Sequence, residues 1–132
     1  MCALVRTSRA VYAHPMFEPR FIEHRGVRIL RLEYADLSPA ELVAAADQVR
    51  QLVATQPPRS VRTLTILKSK LTNEGAEALK RAALANRPYI IAGAVVAGSF
   101  WRVIAADLRA RGREDLTTFD DEASALEWLS GT

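Results

Sequence analysis

The sequence predicts an α/β fold: a five-stranded mixed sheet, opened by an antiparallel hairpin and continued by parallel strands, with about four helices packed mainly on one face. Three observations predict it. Short apolar or alternating runs take turns with segments of helical period. The first two runs are separated only by Arg25-Gly26, the length of a tight hairpin link. Each later pair of runs is separated by a helix-length segment, and such connections join parallel strands through right-handed crossovers. The resulting order is β-β-α-β-α-β-α-β-α.

Each element has its own justification. "FIEHRGVRILRLEY" from Phe21 to Tyr34 reads as strand, turn, strand. In its second half Arg28, Leu30, Leu32 and Tyr34 share one face and Val27, Ile29, Arg31 and Glu33 the other, so the first face is expected to meet the core. "LSPAELVAAADQVRQLVATQPP" is a helix with Ser38 as cap, Pro39 in its first position and Glu41 closing a capping box. Leu42, Ala46, Val49 and Val53 recur on one side, and Pro57-Pro58 stops it. "VRTLTIL" alternates Leu64 and Ile66 with Thr63 and Thr65, which predicts a less covered threonine face. "TNEGAEALKRAALAN" is a second helix with Leu79 and Ala83 inward. "PYIIAGAVVAG" is apolar throughout, as a strand covered on both faces is. Ser99 is expected to cap "FWRVIAADLRARG", with Phe100, Val103, Ile104 and Leu108 as its inner stripe and Gly112 ending it. "LTTF" is a last short strand, and Asp120 is expected to cap the final helix, "DDEASALEWLSG".

At 132 residues the chain is one domain by size. Residues 1–20 lack periodicity, and His14-Pro15 and Pro19 break any helix there, so they read as an N-terminal arm, disordered or strapped on, with residues 21–132 the domain proper. A start of translation at Met16 is a third reading of the arm. Hydrophobic residues make up 49% and charged residues 25%, the balance of a soluble globular protein. The net charge of +3 comes from the segment through Tyr34, where six arginines face three glutamates. Its basic residues are scattered and not clustered with aromatics, which argues against a nucleic-acid partner. The single cysteine, Cys2, allows no intrachain disulfide and no cysteine-based metal site. No run is long enough to span a membrane and no secretory leader opens the chain, so the expected location is the cytoplasm.

Four stretches carry a resemblance: the hairpin "IEHRGVRILRLEY", "QPPRSVRTLTIL", "NRPYIIAGAVVAG" and the tail "FDDEASALEWL". Together, over about residues 21 to 130, they resemble the small bacterial STAS-like (SpoIIAA-like) family, related in fold to anti-sigma-factor antagonists. The resemblance implies a non-enzymatic regulatory or scaffolding module without cofactor, binding an unidentified protein, a second copy of itself or a small ligand. The wider fold also resembles the CRAL-TRIO lipid-binding group, which implies a carrier or sensor of a small anionic or amphiphilic ligand. The antagonists carry an Asp-Ser-x-Gly-like turn after the third strand whose serine a partner kinase phosphorylates. The matching region here is "LKSKLTNEG", with Ser69 in that turn. Lys68 stands where the acid would be, and no glycine follows closely.

Lys68, Ser69 and Lys70, with Thr72 and Asn73 at the helix start, are therefore the candidate phospho-acceptor or anion site. Helix amino termini present free N–H groups and partial positive charge, and two lysines add to both. The competing reading is a solvated turn. Gly98-Ser99 is a second anion cradle or merely a cap. His14 and His24 have no apparent carboxylate or cysteine partner, so neither metal binding nor acid–base work is expected of them. Asp36 leads into a helix. Asp120, Asp121 and Glu122 suit helix capping, and the arginines of "RARGR" suit a helix carboxyl end. Trp101, beside inward Phe100, is expected to project outward as a partner contact.

Overall fold

The computed structural model describes residues 17–132. Five strands and four helices alternate along them: β1 (Arg20–His24), β2 (Val27–Ala35), α1 (Pro39–Val53), β3 (Val61–Lys68), α2 (Asn73–Ala85), β4 (Ile90–Ala97), α3 (Ser99–Ala110), β5 (Leu116–Phe119) and α4 (Glu122–Ser130), with one turn of 3₁₀ helix at Arg87–Tyr89. The strands lie in chain order, β1-β2-β3-β4-β5. β1 and β2 are antiparallel and every later pair is parallel, as expected from the connection lengths.

Local chemistry accounts for the joints. Arg25 and Gly26 take φ of 52° and 79°, the doubly positive pair of a two-residue hairpin turn. Ser38 and Glu41 form the reciprocal capping box, and α1 ends at Val53, before the prolines. Thr72 caps α2 by accepting from Gly75 N–H at 3.0 Å. The cap of α4 is Asp121, which accepts from Ser124 N–H at 2.7 Å; Asp120 instead pairs with Arg102. Ser99 likewise is not a cap but the first residue of α3, behind Gly98.

Three helices, α1 to α3, cover one face of the sheet, and α4 crosses to the other. Under the three helices lie Leu30, Leu32, Tyr34, Leu42, Val49, Val53 and Trp101. Under α4 lie Ile29, Leu64, Ile66, Ala92 and Ala94, met by Ala125 and Leu129. This corrects the threonine reading. Thr63 and Thr65 are on the three-helix face, not an open one, while Leu64 and Ile66 face α4. Both faces are covered, so polarity within β3 does not report cover; the threonines adjoin a cavity.

Phe17 is also part of the core, 2% exposed and stacked on Tyr34 with ring centroids 5.0 Å apart. Of the two arm readings, disordered or strapped on, the packing of Phe17 against Tyr34 of β2 is of the second kind. The rest of the arm, the Met16 start, Cys2 and His14 all lie outside the described residues.

Candidate functional site: the carboxyl edge of the sheet and the cavity behind it

Parallel pairing brings the carboxyl ends of β2, β3 and β4 to one edge, where Ala35 is level with Lys68 and Leu67 with Ala97. In such sheets ligands bind outside this edge. Asp36 takes φ of 57°, a conformation aspartate tolerates, and turns the chain from β2 toward α1. The neighbouring strand end is tied to it by Ser69. The Ser69 hydroxyl donates to Tyr34 O at 2.9 Å and accepts from Leu37 N–H at 3.1 Å. The Trp101 indole N–H donates to Ser69 O at 2.9 Å, so one residue joins β2, β3 and α3.

The candidate phospho-acceptor or anion residues are thereby placed apart. Ser69 is 6% exposed with both roles of its hydroxyl taken, while Lys68 and Lys70 point to solvent on either side. Lys68 pairs with Glu33 at 3.4 Å. Thr72 serves as helix cap and Asn73 is exposed beside it. Period-two alternation explains the split: inward Ser69 requires outward neighbours.

Trp101 requires a correction. It is 5% exposed, inside the core, whereas Phe100 and Val103 are 75% and 67% exposed. The inner stripe of α3 is Trp101, Ile104, Ala105 and Leu108: Ile104 and Leu108 face inward as expected, while Trp101 and Ala105 stand where Phe100 and Val103 were expected. Trp101 wins the interior because its N–H finds a carbonyl there and its ring joins the core cluster that holds Tyr34 and Leu37.

Other ionisable groups tie elements together. Arg31 donates from Nε and Nη2 to Glu122 at 2.7 and 3.1 Å and from Nη1 to Glu33 at 3.2 Å, pinning the start of α4 to β2. The Arg31 guanidinium holds the Glu122 carboxyl below its ordinary value, and Glu122 raises Arg31 in return. His24, expected to lack a carboxylate partner, meets Glu127 at 3.3 Å. Arg113 is buried and grips Asp115 with two bonds, at 2.8 and 2.7 Å, and Ala83 O with a third at 2.7 Å. Among the described residues, no group of three or more His, Cys, Asp or Glu side chains is placed to hold a metal ion.

Behind the edge, between β3 and the three helices, lies a cavity of about 90 Å³. Leucine, isoleucine, valine and alanine make up most of its wall. Tyr34, Thr63, Thr65, Asn86 and Arg113 interrupt it. Burial pushes the Tyr34 phenol above its ordinary value of 10, so it keeps its proton. Thr63 stands opposite Gly93, and a side chain at Gly93 would strike Leu116 and press on the Arg113–Asp115 pair.

No protein-family model matches the chain, and no curated protein matches it. Among solved structures, it is similar to an uncharacterized protein of the DUF3478 family with a SpoIIAA-like fold from Shewanella loihica. The TM-score is 0.66 at 14% identity, over 86% of this chain and 93% of that one. The chain has a SpoIIAA-like fold. Within this SpoIIAA-like sheet, sequence reasoning missed the cavity and the Arg113–Asp115 pair. Arg113 and Asp115 stand two apart in a loop, which signals nothing until α2 is known to end against them.

Proposed function

We propose that this SpoIIAA-like chain is a non-enzymatic regulatory or scaffolding module that docks a protein partner on the outward flank of α3. The observation that carries the reading is the exposure of Phe100 and Val103, two large apolar side chains one helical turn apart at the carboxyl edge. Ala106 and Ala110 continue the same flank. Exposed apolar patches of this kind mark interaction surfaces, with aromatic side chains as anchors. Lys70 is exposed and follows Ser69, whose carbonyl holds Trp101, the neighbour of Phe100 in α3. The fitting partner offers an apolar recess with an acidic border.

The non-enzymatic reading is supported by the work the charged groups already do. Arg31, Arg50, Arg102, Arg111 and Arg113 are all in ion pairs that brace helices and loops. The reading is of a cytoplasmic module that binds protein. Among the described residues no helix is long and apolar enough to cross a membrane. Small-ligand binding is the second reading, favoured by the cavity.

Affinity capture from the native host tests the proposal, with wild type beside Phe100→Ser/Val103→Ser. Both side chains are exposed, so the melting temperature is expected to hold. A protein retained by wild type and lost by the double variant supports the reading; identical capture by both overturns it. If instead wild type runs as a dimer and the variant as a monomer on size-exclusion chromatography with light scattering, the occupant is a second copy and not a different protein.

A further inference from the structure

We propose that the cavity between β3 and α1 to α3 is a binding site for a small uncharged molecule that carries a hydrogen-bond acceptor on a short apolar body. The proposal goes beyond partner docking and does not depend on it.

Unpartnered polar groups carry the inference. Tyr34, Thr63 and Asn86 are 3%, 6% and 8% exposed, and all three line the cavity. Among the described residues, the Tyr34 phenol, the Thr63 hydroxyl and the Asn86 amide make no hydrogen bond within the protein. Yet every side-chain nitrogen or oxygen sealed from solvent does have a partner. The three free groups must therefore open onto space, and the space they share is the cavity. Polar groups that open onto a cavity and have no partner in the protein are available to an occupant, so three of them around one cavity mark a place where one can be held by hydrogen bonds.

The chemistry of the occupant follows from the wall. Among the described residues Arg113 is the single charged side chain lining the cavity, and Asp115 already neutralises it through two bonds. An anion would have to compete with Asp115 or enter with its charge unmatched, which an apolar wall penalises. Beyond its three bonds the Arg113 guanidinium still has two N–H groups. With Asn86 and Thr63 they form a pole rich in donors, which calls for an acceptor such as a carbonyl or hydroxyl oxygen.

Water alone suits the site poorly. A space of 90 Å³ corresponds to about three waters, each wanting about three polar contacts, and most of the wall is leucine, isoleucine, valine and alanine. An apolar cavity of about 150 Å³ takes benzene, so this one suits a body of about four or five heavy atoms. A free amide, ketone or alcohol has this chemistry, and so does the head of a longer neutral chain.

Propanamide and propanoate are the probes, alike in shape and different in charge. Backbone amide shifts of the full chain are followed by NMR as each is added to about 0.1 M, enough to saturate a millimolar site. The expected result is saturable shifts at Thr63, Asn86 and Arg113 with propanamide and at least tenfold weaker binding of propanoate. Thr63→Val, which keeps shape and removes the hydroxyl, is expected to weaken propanamide about fivefold to tenfold, the loss of one neutral hydrogen bond. Asn86→Ala provides the same reading should Thr63→Val fail to fold. Octanamide separates the two sources: tighter binding than propanamide points to the end of a longer chain, and no binding to a free small molecule. The proposal is overturned by absent shifts with propanamide, by equal or tighter binding of propanoate, or by unchanged affinity in both variants.

Discussion

Ser69 uses its hydroxyl as donor and acceptor at once, and both partners are backbone groups that no other side chain reaches. Alanine there leaves Leu37 N–H without its partner and removes the side-chain donor to Tyr34 O, both in a buried place. We expect Ser69→Ala to cost about 1–3 kcal/mol, read as a lower urea midpoint at unchanged slope. Ser69→Asp is expected to cost more, because a carboxylate cannot donate to Tyr34 O and brings a charge into the interior. A midpoint for Ser69→Asp equal to wild type would show that the residue is not a latch. The serine's position in its turn could be read from the sequence. Its role could not, because both its partners belong to a strand end more than thirty residues away.

At the scale of one element, α3 shows what periodicity decides and what it leaves open. Its segment carries two apolar stripes set one residue apart, one with Phe100 and Val103, the other with Trp101, Ala105 and Leu108, and Ile104 lies between them. Hydropathy favours neither. The sheet decides, because a buried indole needs an acceptor and finds Ser69 O, and because alanine at 105 lets the helix approach. We expect Trp101→Ala to cost about 3–5 kcal/mol as a large buried ring is lost. Phe100→Ala should stay within about 0.5 kcal/mol, as exposed positions do. Thermal melts of the two variants check the order, and a reversed order would return the helix to its expected orientation. By contrast α1 was fully legible, since Ser38, Pro39 and Glu41 act on neighbours three residues away and need no tertiary context.

For the whole molecule, strand sequence and sheet order coincide, and that made the α/β class legible from spacing alone. The cavity was not legible, because it is bounded by residues from seven elements and the loops between them, none of them unusual by itself. The second face depends on α4, which Arg31 and Glu122 fasten to β2 across 91 residues of chain. Because the folded-state carboxyl of Glu122 lies below its ordinary value of 4.5, the pair's contribution is fully present above that value and fades as pH falls through the lowered one. Urea midpoints from neutral pH down to acid should therefore fall further for wild type than for Glu122→Gln, and parallel curves would exclude the linkage. A sheet whose strands add in the order they are translated can assemble on the ribosome as the nascent chain emerges. The helix that roofs Ile29, Leu64 and Ile66 is the last of the elements to be made. Until it leaves the exit tunnel, one face of the sheet stands bare, and this is the interval in which a chaperone has most to shield.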